Sequence, residues 1–391
     1  MKVLHVNTHN TGGAAKACLR THMALLSQGI DSKVLLRSKT QEDVPHVHEI
    51  WEGLSYAAKS KKYLEQKKLD RQQNKIRKEL ISAKELFSFP FSIWDITSHP
   101  LYEWADIIHL HWVAGFLDYP SFFKANSKKI VWTIHDEEPF SEGFHYHYNL
   151  HEHLGKDYMK QHIAVKKKAF ENQAIQVISP SSYLNIKAKK SELFSHFSHH
   201  VVANCFNRTI SSIDRNACRE HLQIPQNKKV VLYVADDFRV PRKGFNVMEQ
   251  AWISAFSSTM ILCVLGSPSI KTNAEKGILS LGRLNNDSSM MQAYSAADLL
   301  VVPSLIDNFP NTVVEASCCG TPTLGFNAGG IPEMINDVNG AICEATSEDL
   351  AKSIPYMLNQ DWDRNLIQNQ AKEKYSSKLA ANKLIEIYSG L

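Results

Sequence analysis

VVPSLIDNFPNTVVEASCCGTP, residues 301–322, holds two acids, Asp307 and Glu315, separated by seven residues across what reads as a loop-to-helix junction. An apolar run precedes them. Pro310 and Asn311 read as a helix start, because proline is preorganised for the first helical turn. Asp307 then falls just before the helix and Glu315 about one turn inside it. A helix N-terminus carries unpaired N–H groups and a partial positive charge, which suit a phosphate. One short segment can therefore hold a diphosphate, with a sugar on one side and a ribose on the other. The plainer alternative is an N-terminal acid on an ordinary helix plus an unrelated Glu.

Outward from this stretch, short apolar runs alternate with helix-like segments. VLHVN at 3–7 is followed by Gly12-Gly13 and a helical ACLRTHMALLSQG; then come SKVLLR, IIHLHW, KIVWTIHD and IQVISP. The second half repeats the pattern with KVVLYVA, MILCVLG, DLLVVPS, TPTLGF and AICE. Strands alternating with helices predict parallel sheets covered on both faces, an α/β class. Two such series in 391 residues predict two doubly wound, Rossmann-like domains. No run of 18 apolar residues predicts a spanning helix, and the N-terminus lacks the apolar stretch of a signal peptide. Seven cysteines without a CxxC argue against a disulfide framework or a zinc site. A cytoplasmic location follows as the default.

The net charge of +4 is unevenly placed. Residues 59–88 hold ten Lys/Arg and four Asp/Glu, a net of +6 that leaves about −2 for the rest. Tyr63, Leu69, Ile76, Leu80 and Leu86 recur among these charges at helix-like spacing. The stretch reads as a solvated amphipathic helix packed on its own domain or as a helix lying on an anionic membrane leaflet. The charge is local and no nucleic-acid module is visible, so no nucleic-acid partner is expected.

PSLIDNFPNTVVEASCCGTP resembles the E-x7-E signature of family 4 retaining glycosyltransferases, with Asp at the first position, and GTPTLGFNAGGIPEMI continues the match. IIHLHW at 107–112, TIHDEEPF at 133–140 and RKGF at 242–245 follow in the family's order. Together the blocks are similar to the bacterial branch that builds surface polysaccharides such as O-antigen, capsule and colanic acid. The resemblance implies the GT-B fold, two Rossmann-like domains facing across a cleft. Its expected divisions are residues 1–203 on the acceptor side, 204–372 on the nucleotide-sugar side, and a helix at 373–391 crossing back to the first domain. An "NG" motif usually closes the first domain; here Asn204-Cys205 lacks the Gly.

The resemblance also implies roles. Lys243 and Arg242 face the diphosphate, Lys243 being the stronger candidate. Many relatives carry an Arg six residues before that Lys; here the position is Asp237, so Arg239 or Arg242 is expected to replace it. Gly12 and Gly13 lie against phosphates and acceptor, although NTGGAAK is not the GxGxxG fingerprint. His135 reaches the donor sugar or its phosphate. Asp307 contacts the sugar hydroxyls, Glu315 the ribose, and Asn308, Phe309, Pro310, Asn311 and Thr312 offer backbone to sugar and phosphate. Arg283 and Leu284 meet the base. Family relatives continue with a "TGGCHY"-like string where this chain has SEGFHYHY, so Glu142 and Phe144 replace Gly and Cys on the acceptor side. His109 and His111 share one strand face, with packing as the plain role and an acceptor role open for His111. His145 and His147 lack a convincing ligand set, so no metal and no cofactor are expected. The implied partners are a nucleoside-diphosphate sugar and a glycan acceptor, lipid-linked; peripheral contact of 59–88 with an anionic membrane stays open beside its packing on its own domain. The rivals are a GT-B nucleotide-sugar epimerase and a catalytically silent binding protein.

Overall fold

A computed structural model describes residues 1–40, 44–150, 152–206, 214–284 and 286–391. The chain forms two compact units, Met1–Cys205 with Ser377–Leu391, and Phe206–Ser376. Of the boundary stretch 201–210, residues 207–210 lie outside the described residues.

The first unit holds β1 (Lys2–His9), β2 (Asp31–Ser38), β3 (Val47–Glu49), β4 (Ile107–Leu110), β5 (Lys129–Thr133), β6 (Ile175–Ser179) and β7 (Ser198–Val201). They pair in the order β3-β2-β1-β4-β5-β6-β7, every pair parallel. The second holds β8 (Lys229–Asp237), β9 (Met260–Ser267), β10 (Ile278–Gly282), β11 (Leu299–Val302), β12 (Thr323–Phe326) and β13 (Gly340–Cys343). Their order is β10-β9-β8-β11-β12-β13, again all parallel. Each sheet thus reverses its winding once, between β1 and β4 and between β8 and β11. Ligands of open α/β sheets bind beyond the strand ends at such a reversal.

The strands read as apolar runs because helices cover both faces of the sheets; IIHL of β4 and LLVV of β11 are buried at every position. Trp132, Phe123, Phe170 and Phe194 fill one side of the first sheet. On the other side Val3, Ile107, Val131 and Ile178 meet Ala381, Leu384 and Tyr388 of the last helix, Ser377–Ser389. Trp252, Met248, Leu350 and Ile354 pack on the second sheet.

The helix expected at 373–391 is broken at Tyr375. Helix Arg364–Lys374 ends there, buries Ile367 and Ala371 within the second unit, and is followed by a turn whose Tyr375 carbonyl accepts the Phe206 N–H at 2.9 Å. The division therefore falls between Ser376 and Ser377, where the expectation had 372 and 373.

The basic segment forms helix Tyr56–Glu79 with a short 3-10 turn at Ile81–Ala83. Its expected apolar stripe holds only in part. Leu80 is buried and Leu69 and Ile76 are half-buried, but Tyr63 and Leu86 are more than half exposed, as are Tyr56 and Leu64.

Candidate functional site

In the second unit the chain leaves β8 through a turn at Pro241–Lys243 and enters helix Phe245–Ala255 at Gly244. Gly244 has φ +71°, and a Cβ there would lie 1.7 Å from the Pro303 carbonyl oxygen. Only glycine lets this turn press against the end of β11. Leu305 N–H donates to the Arg242 carbonyl at 2.7 Å and fixes the two loops together. The result is an ion pair: Lys243 Nζ stands 2.5 Å from Asp307 Oδ2. The two residues that the resemblance assigns to phosphate and sugar are partners of each other.

Asp307 is buried, and its Oδ1 accepts its neighbour's N–H from Asn308 at 2.9 Å. Burial pushes its carboxyl pKa up, but the Lys243 ammonium and the Arg242 guanidinium outweigh that and hold it below the usual range. Behind it, Gly330 N–H donates to the Asp307 carbonyl at 2.9 Å, and a Cβ on Gly329 would come within 2.1 Å of that same oxygen. The AGG stretch after β12 is therefore the backing of the Asp307 loop, a role the sequence reading did not assign.

Helix Asn311–Cys318 follows, with Pro310 at its cap. Asn308 and Pro310 are buried; Phe309, Asn311 and Thr312 are half-buried. Glu315 is buried and accepts the Tyr294 hydroxyl at 2.8 Å, a partner the sequence did not signal. Arg283 is exposed and Leu284 half-buried, just beyond β10. Arg239 folds back on Asp237 with Nη2 to Oδ2 at 2.7 Å and is 76% exposed, whereas Arg242 acts electrostatically on Asp307. Of the two proposed replacements for the cation at position 237, Arg242 is the one placed beside the Asp307–Lys243 pair.

In the first unit Gly12 adopts φ +92° as the chain turns from β1 into helix Gly13–Ser27, and a Cβ there would meet nothing within 4 Å. Conformation, not crowding, calls for glycine at this turn. Across the winding reversal, Trp112 N–H donates to Asn7 Oδ1 at 2.9 Å and Thr8 Oγ1 donates to the Trp112 carbonyl at 3.0 Å. Trp112 Nε1 donates to Asp136 Oδ2 at 2.9 Å. His145 Nδ1 lies 2.7 Å from the same oxygen and its Nε2 2.8 Å from Ser88 Oγ. Burial alone would raise Asp136 and lower His145; their mutual attraction reverses both.

The SEGFHYHY departure has a structural account. Phe144 is fully buried among Leu80, Leu150 and Met159, under the segment that follows the basic helix. Glu142 and Glu137 grip His147 from its two ring nitrogens at 2.9 and 2.7 Å. Burial opposes the charge on His147, yet the two carboxylates raise its pKa to about 9. Below, the fully buried Lys166 pairs with Glu138 Oε1 at 2.8 Å. Thus His145 and His147, weighed as metal ligands, are occupied by carboxylates. His135 sits just past β5, half-buried, with its pKa lowered to about 4 by burial. His109 of β4 and His111, one residue past its end, have rings stacked with centroids 4.3 Å apart. Among the described residues, His5, His109 and His111 form one buried group whose ligating atoms lie within 4.8 Å of one another.

Residues 214–374 match the family described as Glycosyl transferases group 1, so the match lies within the second unit. A D-inositol 3-phosphate glycosyltransferase 2 from Catenulispora acidiphila is 26% identical over 203 residues, covering 45% of this chain and 46% of that protein. The chain thus spans a little under half the length of that curated relative. The structure of Anabaena Alr3699/HepE in complex with UDP and glucose is similar over 100% of both chains, with a TM-score of 0.64 and 18% identity. WaaG, a glycosyltransferase involved in lipopolysaccharide biosynthesis, is similar over 100% of both chains, with a TM-score of 0.60 and 16% identity. Likeness at that identity establishes the fold: an α/β chain with the two Rossmann-like domains of GT-B proteins.

Proposed function

We propose that the chain is a retaining glycosyltransferase. It moves a hexose-type sugar from a nucleoside diphosphate onto a glycan acceptor, lipid-linked, in the synthesis of a bacterial surface polysaccharide. The observation that carries this reading is the Lys243–Asp307 pair at the winding reversal of the second sheet, next to a helix start with Glu315 inside it. The family match of that unit, and neighbours solved with UDP or involved in lipopolysaccharide synthesis, support it.

Each group has a task. The leaving diphosphate gains negative charge, and Lys243 and Arg242 are fixed cations that stabilise it without a metal. Once Lys243 turns to phosphate, Asp307 is released to accept from the sugar hydroxyls. Glu315 accepts from the ribose, and the backbone of 308–312 donates to sugar and phosphate. Arg283 and Leu284 stand by the base. Gly12 and Gly13 leave backbone open to phosphate and acceptor, and His135 donates a hydrogen bond to the sugar or its phosphate. The acceptor attacks from the face that the diphosphate leaves, and a departing phosphate oxygen takes its proton. A thermal-shift panel of UDP, GDP, ADP and CDP, each with and without sugars, tests the reading. One nucleotide is expected to raise the melting temperature by mass action. No shift with any at millimolar concentration would reject it.

The membrane part of the proposal rests on helix Tyr56–Glu79, where exposed Tyr56, Tyr63 and Leu64 lie among lysines. Apolar side chains beside positive charge suit an anionic leaflet and support the reading of peripheral contact with the inner face of the plasma membrane. Reversing Lys59, Lys61, Lys67 and Lys68 to Glu is expected to release the protein from anionic vesicles. Equal sedimentation of both forms would remove the membrane contact from the proposal.

A further inference from the structure

Residues 86–88 and 143–145 run side by side in the first unit, with Phe87 opposite Phe144 in an antiparallel bridge. Ser88 N–H donates to the Gly143 carbonyl at 2.8 Å, and His145 N–H donates to the Leu86 carbonyl at 3.1 Å. Gly143 has φ +138°, and a Cβ there would lie 2.5 Å from the Ser88 carbonyl oxygen. Glycine is what lets the two segments close. Their approach sets Ser88 Oγ 2.8 Å from His145 Nε2. Across the ring, His145 Nδ1 lies 2.7 Å from Asp136 Oδ2. Asp136 is fixed through both oxygens: Trp112 Nε1 donates to Oδ2 at 2.9 Å and the Glu138 N–H donates to Oδ1 at 3.1 Å. Asp136 and His145 are buried, and Ser88 is half-buried.

The order is hydroxyl, imidazole, carboxylate, with the hydroxyl on Nε2 and the carboxylate on Nδ1. Two N–H donors on Asp136 favour its ionised form. A carboxylate can only accept, so the neutral His145 ring carries its proton on Nδ1 and presents a bare Nε2 to the Ser88 hydroxyl. A serine oxygen is a weak nucleophile until an adjacent base takes its proton, and a base works best when a third group orients it. This constellation serves acyl transfer on unrelated folds and is recognised by geometry and role. None of the three side chains has a task in the sugar transfer proposed above.

We propose that Ser88, His145 and Asp136 form a nucleophilic serine site that takes the acyl group of a carboxylic ester. Ser88 Oγ bonds to the ester carbonyl carbon, and its proton passes to His145 Nε2. The ester C–O bond then breaks, and His145 returns the proton to the departing alkoxide. The products are the alcohol and acyl-Ser88. Asp136 holds the ring and its tautomer and stays ionised throughout. Phe87 and Phe89 flank Ser88 with ring centroids 5.4 Å apart, apolar surroundings that favour an uncharged acyl chain. Rapid ester turnover also needs fixed donors for the oxyanion; only the transfer to Ser88 is assigned to this group.

The test is labelling of the full chain with a fluorophosphonate, read by intact mass and peptide mapping. Ser88 Oγ bonds to phosphorus, fluoride leaves and the proton goes to His145, so a single adduct at Ser88 is expected. At pH 8.5 the folded chain is expected to react about a hundredfold faster, or more, than the same chain unfolded in urea, the share of a positioned general base. No adduct at Ser88, or equal rates folded and unfolded, would overturn the proposal without any variant. With p-nitrophenyl acetate, a burst of about one equivalent of p-nitrophenolate is expected from the wild type and none from Ser88→Ala. Equal bursts from both would overturn the acyl transfer.

The labelling rate also reports the base. Burial lowers the His145 pKa, but Asp136, Glu138 and Glu85 raise it above its ordinary value, Glu138 being itself paired with Lys166. The rate is expected to climb as pH rises past about 6.5 and to level off once the ring is neutral. Asp136→Asn withdraws one of the raising charges, so the midpoint of its profile is expected to fall. An unchanged midpoint would remove Asp136 from the site. None of these measurements needs a nucleotide or a glycan, so failure of the glycosyltransferase reading in the thermal-shift panel would leave their outcome standing.

Discussion

The two sheets wind in the same order, yet the ends of their strands at the reversal carry opposite chemistry. In the second unit the reversal holds fixed charges, Lys243 and Arg242 against Asp307. In the first, the Asp136–His145 pair stands beside four rings, His5, His109, His111 and His135, that burial keeps neutral. Of the chain's eighteen histidines, every one but His221 lies in the first unit. Topology supplies a place for a ligand, and the residues at that place decide whether it is met by charge or by hydrogen bonds of defined direction.

The glycines at the two reversals offer the largest test of this contrast. Gly244→Ala combines a left-handed backbone with a Cβ 1.7 Å from the Pro303 oxygen, and is expected to cost about 3 kcal/mol or more in chemical denaturation. Gly12→Ala meets no atom within 4 Å and is expected to cost only about 1 kcal/mol, from backbone conformation alone. Equal losses would mean that crowding does not distinguish the two turns.

Lys243→Ala is next. Loss of one charge-assisted contact predicts a fall in nucleoside-diphosphate affinity of about 2–3 kcal/mol, roughly 30- to 150-fold, by calorimetry. His135→Gln, in the uncharged set, is expected to leave that affinity within a few-fold and lower turnover instead. Unchanged affinity in the Lys243 variant would remove that residue from the phosphate site.

Taken over a fraction of a pH unit the smallest effect per group is the pH dependence, and it has two signs. His109 and His135 fold with pKa values lowered to about 3 and 4, and His22 to about 4, chiefly by burial. A histidine lowered in the folded state supports stability above its ordinary pKa and loses that support as pH falls from about 6.5 toward 4. Each contributes up to about 1.4 kcal/mol per pH unit within the window. His147, raised to about 9, works the other way. Its support is complete below about 6.5 and is lost as pH rises through about 9. Melting followed by hydrogen exchange should show acid loosening in the first unit before the second. Loosening of both together at pH 5 would contradict the contrast.

Legibility in the sequence differs between the units for the same physical reason. Asp307, the start of helix Asn311–Cys318 and Glu315 lie within a dozen residues, so turn chemistry and spacing display them together. Gly244 could be read as a turn residue because its requirement is local. The Lys243–Asp307 pair could not, since the two lie 64 positions apart and are joined by β8–β11 pairing and the Leu305–Arg242 bond between their loops. The contacts of His111 with His5 and His135 join residues 106 and 24 positions apart, in β1 and just past β4 and β5, and parallel register depends on the helices that connect the strands. His109 and His111 were visible as one strand face; their partners were not. The break at Tyr375 was hidden because helix Arg364–Lys374 and helix Ser377–Ser389 are both strong helix formers, and tertiary packing decides where one stops.

The last helix has a consequence for how the protein is made. Ser377–Leu391 belongs to the first unit, where Tyr388 reaches His109 across 279 residues of sequence. The second unit is in effect an insertion, bounded on both sides by the unit it interrupts. Synthesis runs from the N-terminus, so the inserted unit has all its residues available before its host does. Of the two units, the one that opens with β1 is completed second, and loss of Ser377–Leu391 would wound the sheet that β1 belongs to.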